Sequence, residues 1–321
     1  MDQRKGATQS SSAVLVTGGS GYLGAHLVRH LADAGETVVS MYRNRLPEPC
    51  SNVFPVCSDL SSEELLAAPL RGVDTVVHLA WENSFTGPEA DLSDDPRNAK
   101  NQTKNIRLLK NMIEAMERAR TRRLIFVSAF GASKNTREPF LAEKYTAEFY
   151  ILNSRIPEKV VLRPTVIYGG EETHNRFIGA IRRIIRFPGF YPVPSWKERI
   201  YPLSLTDFKN IVTGLLRLEV SGEPVRIIHL SGQEGYRVEE IFRIVAGTDG
   251  RGARIPVGSV LGQTLLPLFE KGFKSAADQV GIRQFLSVSG LAKNDASDQQ
   301  ELDRVFKGPY QKFVEVMGKP V

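Results

Sequence analysis

Ala13-Val14-Leu15-Val16-Thr17-Gly18-Gly19-Ser20-Gly21-Tyr22-Leu23-Gly24 carries a short apolar run straight into a glycine-rich turn. The first five residues predict a buried strand, and residues 22–34 predict an amphipathic helix. The glycines follow a Gly-x-x-Gly-x-x-Gly spacing, one residue longer in its first gap than Gly-x-Gly-x-x-Gly. Gly18 suits the positive φ of a tight strand-to-helix turn. Gly21 leaves room for a pyrophosphate to approach the backbone, and Gly24 lets the helix pack closely. The first N–H groups of the helix then face the phosphates, with the helix dipole favouring their negative charge. Glycines alone identify little; their place between strand and helix gives the motif its weight.

Outward from this stretch the chain alternates strand and helix. Residues 36–42, 52–57, 73–79, 123–128 and 159–162 predict further strands. A helix start lies at Ser61-Ser62-Glu63-Glu64, and residues 98–120 form a longer helix with Ile106, Leu109, Ile113 and Met116 on one face. Residues 139–154 predict another helix. This rhythm calls for a parallel sheet with helices on both faces and right-handed crossovers. Beyond Gly169 it loosens, with Pro188, Pro192, Pro194 and Pro202 breaking a basic stretch. Helices follow near residues 207–218 and 238–245, with a strand at 225–230 between them. The expected organisation is a flexible tail over residues 1–12, a dinucleotide-binding domain over 13–169, and a smaller lobe over 170–321 from which residues 200–230 return to the main domain.

The chain has 321 residues, enough for a full core, and its 24% charged content fits a soluble globular protein. No apolar run approaches the roughly 18 residues of a membrane span, and residues 1–12 lack the apolar centre of a signal peptide. Cys50 and Cys57 do not form a Cys-x-x-Cys motif and read as unpaired thiols of a reducing compartment, so a cytoplasmic location is expected. His26 and His30 have metal-ligand spacing but no accompanying Glu, so no metal site is read. The net charge of +6 comes without a nucleic-acid motif and suits an anionic cofactor and a small anionic substrate. Arg182, Arg183 and Arg186 read as a solvated helix face.

Three segments in order carry a resemblance: Thr17 to Gly24, Val76-Val77-His78-Leu79-Ala80, and Leu162-Arg163-Pro164-Thr165-Val166-Ile167-Tyr168-Gly169. Together they resemble the short-chain dehydrogenase/reductase family, in its extended or atypical branch with the nucleotide-sugar epimerases and dehydratases. The resemblance implies a Rossmann-type doubly wound parallel α/β sheet with a smaller C-terminal substrate lobe. It places the cofactor on Gly18, Ser20, Gly21, Tyr22, Leu23 and Gly24, with Asp59 at the adenine amine and Leu60 beside the ring. The backbone of Leu79-Ala80 and the Arg163-Pro164 segment border the cofactor further along. The second strand ends Met41-Tyr42-Arg43-Asn44-Arg45, without the acid that grips ribose hydroxyls in NAD-preferring proteins. Arg43 there suits a 2′-phosphate, which favours NADP over NAD.

Chemistry in this family rests on a Tyr-x-x-x-Lys pair on one helix, and here the stretch is Phe140-Leu141-Ala142-Glu143-Lys144. Lys144 is present, but a phenyl ring cannot exchange a proton. After the fifth strand the chain reads Val127-Ser128-Ala129, with alanine where the family's substrate-facing hydroxyl lies. Lys144, Ser128 and Tyr168 are the remaining catalytic candidates, Lys144 also binding the nicotinamide ribose. Asn101 matches a family asparagine that buttresses the site, and Glu143 reads as a solvated neighbour. Two readings follow: an NADP-dependent oxidoreductase or epimerase with altered proton handling, or an NADP(H)-binding regulator or assembly factor. A homodimer is expected if Phe149, Ile151 and Leu152 form an interface rather than core.

Overall fold

Strands rich in Val, Ile and Leu on both faces need cover on both sides, which is what a parallel sheet between helix layers supplies. The computed structural model describes residues 13–82, 103–136, 138–170, 176–185, 190–195, 199–218, 224–247, 253–258 and 296–317. Its strands are β1 Ala13–Thr17, β2 Val38–Tyr42, β3 Val53–Cys57, β4 Val73–His78, β5 Arg123–Val127, β6 Glu158–Pro164 and β7 Ile167–Tyr168. The later strands are β8 Phe190–Ser195, β9 Arg199–Ile200, β10 Leu203–Ser204, β11 Val225–Leu230, β12 Tyr236–Arg237 and β13 Ala253–Gly258. Helices are α1 Tyr22–Asp33, α2 Glu64–Ala67, α3 Lys104–Ala119, α4 Pro139–Leu152 and α5 Arg176–Ile185. They continue as α6 Leu205–Arg217, α7 Val238–Ala246, α8 Ala296–Val305 and α9 Phe313–Met317.

Seven strands form one sheet in the order β11-β6-β5-β4-β1-β2-β3, every pair parallel. The chain steps from β1 outward to β3, then crosses back to β4 on the other side of β1. This puts the topological switch point beside β1, where a doubly wound sheet opens a crevice at its strand C-termini. The fold is a Rossmann-type α/β sheet. Residues 225–230 lie in this main sheet beyond β6, in register Val225 to Lys159 through Leu230 to Pro164.

One helix layer joins α1 and α6: Leu27 and Leu31 meet Phe208, Ile211 and Leu215 against Val16, Val160 and Leu162. The other layer brings Ile106, Leu109, Met112 and Met116 of α3, with Ala147 and Ile151 of α4, onto Leu15, Val76, Leu124 and Phe126. Thr103 caps α3 by accepting the Ile106 N–H, and Ser204 caps α6 by accepting the Asp207 N–H. A third cluster gathers Ile178, Ile181 and Ile185 of α5 with Ile241, Phe242 and Val245 of α7 around Tyr168 and Phe313. At the far end of the sheet Glu158 is wholly buried between Arg123 and Arg226. Arg123 also donates to the carbonyls of Leu215 and Leu218, each at 2.8 Å, tying the C-terminus of α6 to β5. No helix among the described residues is long and apolar enough to cross a membrane.

Several sequence expectations shift. The helix expected from Ser61 is only the short α2, because Leu60 adopts φ 62° and bends the chain before it. The sixth strand is longer than expected, Glu158–Pro164, because β11 pairs along it. The tail at residues 1–12, the helix start at 98–102 with Asn101, and Arg186 and Pro188 lie outside the described residues, as does the side chain of Arg183. Ile151 is core, Leu152 is half-buried and packs against the same core, and Phe149 is half-buried.

Candidate dinucleotide site

β1 ends at the glycine turn. Gly18 has φ +69°, and a Cβ there would stand 2.9 Å from the Ala80 nitrogen. A Cβ at Gly24 would stand 2.1 Å from the Gly18 carbonyl oxygen, so α1 approaches the turn more closely than any side chain allows. Gly19 faces the buried Ser40: a Cβ there would lie 2.1 Å from Ser40 Oγ. No side chain caps α1 and no acid lies in its first turn, which leaves its positive end for an anion. The cradle that a Cβ would fill and the uncapped helix together fit a pyrophosphate. A cleft of about 190 Å³ opens here, lined by Gly19, Ser20, Gly21, Tyr22, His26 and Arg45 among others. Leu23 packs half-buried against the core below, and the Tyr22 hydroxyl donates to the Gly169 carbonyl, joining the turn to the chain after β7.

Beside the turn, Thr17 Oγ1 accepts the N–H groups of Leu79 and Ala80, each at 3.1 Å. Its own hydrogen is thereby directed at His78 Nδ1, 2.9 Å away, which assigns a neutral imidazole with the proton on Nε2. Burial, and then the nearby charge of Lys144, lowers the His78 pKa to about 3. His78 is a packed strand residue that fixes the path of Leu79 and Ala80.

At the adenosine end the structure departs from the sequence picture. The Arg43 guanidinium is paired with Glu82, which Lys104 also holds at 2.9 Å. Burial works to raise the Glu82 pKa, but the hydrogen bonds and charges of Lys104 and Arg43 outweigh it and hold the carboxyl below its usual range. The arginines that line the glycine-turn cleft are Arg29 and Arg45. Asp59 is exposed at the end of β3 and accepts the Ser61 N–H at 2.9 Å; that turn, with Arg43 further off, lowers its pKa. The Leu60 side chain is almost wholly covered. It is buried in the core with Met41 and Leu66, held there because Asn111 donates to the Leu60 and Ser61 carbonyls.

Lys144 points inward from α4. Its amine donates to the Val127 carbonyl at 2.9 Å and lies 3.8 Å from the Trp81 ring centroid and 4.7 Å from that of Phe126. Phe140, at the position of the missing tyrosine, has its ring centroid 5.8 Å away. Burial lowers the lysine pKa to about 7, against the opposing pull of Glu143 and Glu148. Glu143 is buried, not solvated: Trp81 Nε1 donates to it at 3.0 Å, Asn105 Nδ2 at 3.1 Å, and the Thr103 hydroxyl joins them. Asn105, four residues beyond Asn101, is thus the buried amide of this site.

Two catalytic candidates, Ser128 and Tyr168, lie in the interior. Ser128 is buried and its hydroxyl donates to Glu148, which Arg163 clasps through Nε at 3.0 Å and Nη2 at 2.5 Å. Its proton is committed to an interior carboxylate rather than a substrate. Tyr168 is fully buried against Phe313 and donates to the Gln311 carbonyl at 2.7 Å. Burial, then the charge of Asp207, raises its pKa, so the phenol is a core group of the third cluster. Pro164 is buried at the end of β6, where its carbonyl accepts the Phe130 N–H at 3.0 Å. Nothing in the sequence pointed to Trp81, Glu82 or Glu148; their partners lie far along the chain.

A family model described as NAD(P)H-binding matches residues 18–183, about half of the chain, beginning at the first glycine of the turn. The chain belongs to the NAD(P)H-binding family. Within it, the atypical short-chain dehydrogenase/reductase character read from the sequence stands. The chain is 24% identical over 252 residues to the NADH dehydrogenase 1 alpha subcomplex subunit 9 of Arabidopsis thaliana, covering 75% of this chain and 59% of that protein. It is 27% identical over 266 residues to a ceramide reductase of Caulobacter vibrioides, covering 79% and 77%. The fold is shared with a nucleoside-diphosphate-sugar epimerase of Staphylococcus aureus at a TM-score of 0.70 and 16% identity, covering 96% of this chain and all of that one.

Proposed function

We propose that this family member is an NADP(H)-dependent oxidoreductase, epimerase-like in build, that acts on a small anionic molecule at the C-terminal ends of the strands. Lys144 carries this reading. It presents an amine whose pKa is brought to about 7 at the end of β5, two strands from the glycine turn. A bound nicotinamide supplies or accepts the hydride. The chain's own part is to hold or release a proton at Lys144 Nζ once Trp81 moves off it, with Phe140 excluding water on the near side. Arg43 and Arg45 at the end of β2, with no acid on that strand end, support NADP over NAD. A cytoplasmic setting with Cys50 and Cys57 as free thiols goes with this reading, as does a homodimer through Phe149 and Leu152 on α4.

A second reading is favoured by the Trp81 ring over Lys144, the interior Ser128 and Tyr168, and Phe140. In it the protein holds NADP(H) without turnover, as a regulator or assembly factor; the Arabidopsis relative is itself named as a subunit of a larger complex. One experiment separates the two. NADPH and NADP are each incubated with wild type and Lys144→Met against ketones, sugars and nucleotide sugars, and nicotinamide absorbance is followed. Turnover by wild type that the variant loses upholds the enzyme reading. Tight NADPH binding with no absorbance change across the panel upholds the holder.

A further inference from the structure

The ends of β2 and β4 are joined by an ion pair that nothing in the sequence announced. Glu82 lies two residues beyond Ala80, and its main chain is pinned: its N–H donates to Asn105 Oδ1 at 2.9 Å and its carbonyl accepts Asn105 Nδ2 at 2.8 Å. Asn105 is 8% exposed, so the root of the carboxylate is fixed. The Arg43 side chain is 49% exposed and is the movable partner. Strand order puts β1 between β2 and β4, so the Arg43–Glu82 pair spans the end of β1, next to the glycine turn. Lys104, at the first position of α3, closes the cluster on Glu82.

We infer that Glu82 limits how strongly the site prefers a phosphorylated ribose: its carboxylate is the internal counter-anion of Arg43 and Lys104, which a 2′-phosphate must displace there. The inference rests on the reading that the glycine turn holds a dinucleotide. A phosphate monoester carries more negative charge than a carboxylate and offers three acceptor oxygens to a guanidinium. It can draw Arg43 from Glu82, whereas a ribose hydroxyl cannot. Glu82 thus weakens every cation-dependent contact to the cofactor and leaves contacts to an unphosphorylated ribose untouched.

The test uses adenosine 2′,5′-bisphosphate and adenosine 5′-monophosphate as probes, titrated calorimetrically into full-length wild type, Glu82→Gln, Arg43→Gln and the double variant. Glu82→Gln preserves shape and leaves both main-chain bonds to Asn105 in place. It should bind the bisphosphate about fivefold more tightly, the scale of one half-exposed ion pair, with the monophosphate unchanged. Arg43→Gln should weaken the bisphosphate alone, and in the double variant the gain from losing Glu82 should shrink to the part that Lys104 supplies. An unchanged or weakened bisphosphate affinity in Glu82→Gln overturns the inference. An equal gain for both probes overturns it too, since that marks a steric latch without selection. If wild type binds neither probe and also fails to bind NADPH, the dinucleotide reading itself has failed and takes this inference with it. NADPH binding without any effect of Glu82→Gln removes the inference alone.

Discussion

Replacing Lys144 with methionine removes an amine from one of the driest places in the protein while keeping most of its volume. The lysine is 5% exposed, and burial brings its pKa from 10.5 to about 7. At pH values below 7 the folded state must therefore hold a charge it disfavours, at a cost of up to ~5 kcal/mol. Methionine also forfeits the amine's bond to the Val127 carbonyl and its place over the Trp81 face, together ~2–3 kcal/mol. The variant should accordingly be more stable than wild type by about 1–3 kcal/mol near neutral pH. The sign of the pH dependence is fixed. Between pH 7 and 10.5 the unfolded chain keeps the lysine proton and the folded chain has released it, so wild-type stability rises with pH. The advantage of the variant should shrink by ~2–3 kcal/mol from about pH 7.5 to about pH 9.5. Urea unfolding of both proteins across that range, with slopes compared, measures the difference and cancels groups common to both. A difference that stays constant with pH, or a variant less stable throughout, refutes the claim that burial neutralises this amine.

Other outcomes follow from the same structure. Glu158→Gln should destabilise by about 3–5 kcal/mol in thermal or urea unfolding, because Arg123 and Arg226 lose the carboxylate they share in the interior. Gly24→Ala should lower stability by about 1–3 kcal/mol, since its Cβ would stand 2.1 Å from the Gly18 oxygen; a neutral result would mean the turn relaxes freely. Phe140→Tyr places a phenol on the Lys144 side of α4 and should raise NADPH-dependent carbonyl reduction at least about tenfold over wild type, followed by nicotinamide absorbance. No gain there would mean that the substrate pocket, rather than the proton donor, is what the protein lacks.

The sheet was legible because its signals are local. Apolar runs such as Val14-Leu15-Val16 and Val76-Val77 announce strands by themselves, and the glycine spacing announces the turn. The geometry at Gly18 and Gly24 needs only their immediate neighbours. What escaped the sequence depends on partners far apart in the chain. Arg43 reads as a free cation until Glu82, 39 positions away, is brought across β1. Ser128 reads as a remaining catalytic candidate until α4 turns Glu148 onto it. Tyr168 could line a pocket or fill core on sequence alone, and packing by Phe313, from the last described helix, decides for core. Trp81 gave no periodic signal, since it lies in a loop, yet it covers the one lysine on which the proposed chemistry turns.

The most direct test of the account is an equilibrium titration of NADPH and NADH into wild type and Gly24→Ala, followed by nicotinamide fluorescence. Wild type should bind both saturably and one-to-one, NADPH more tightly than NADH, and the folded variant should bind neither. Absence of saturation in wild type, or equal binding by Gly24→Ala, would contradict it.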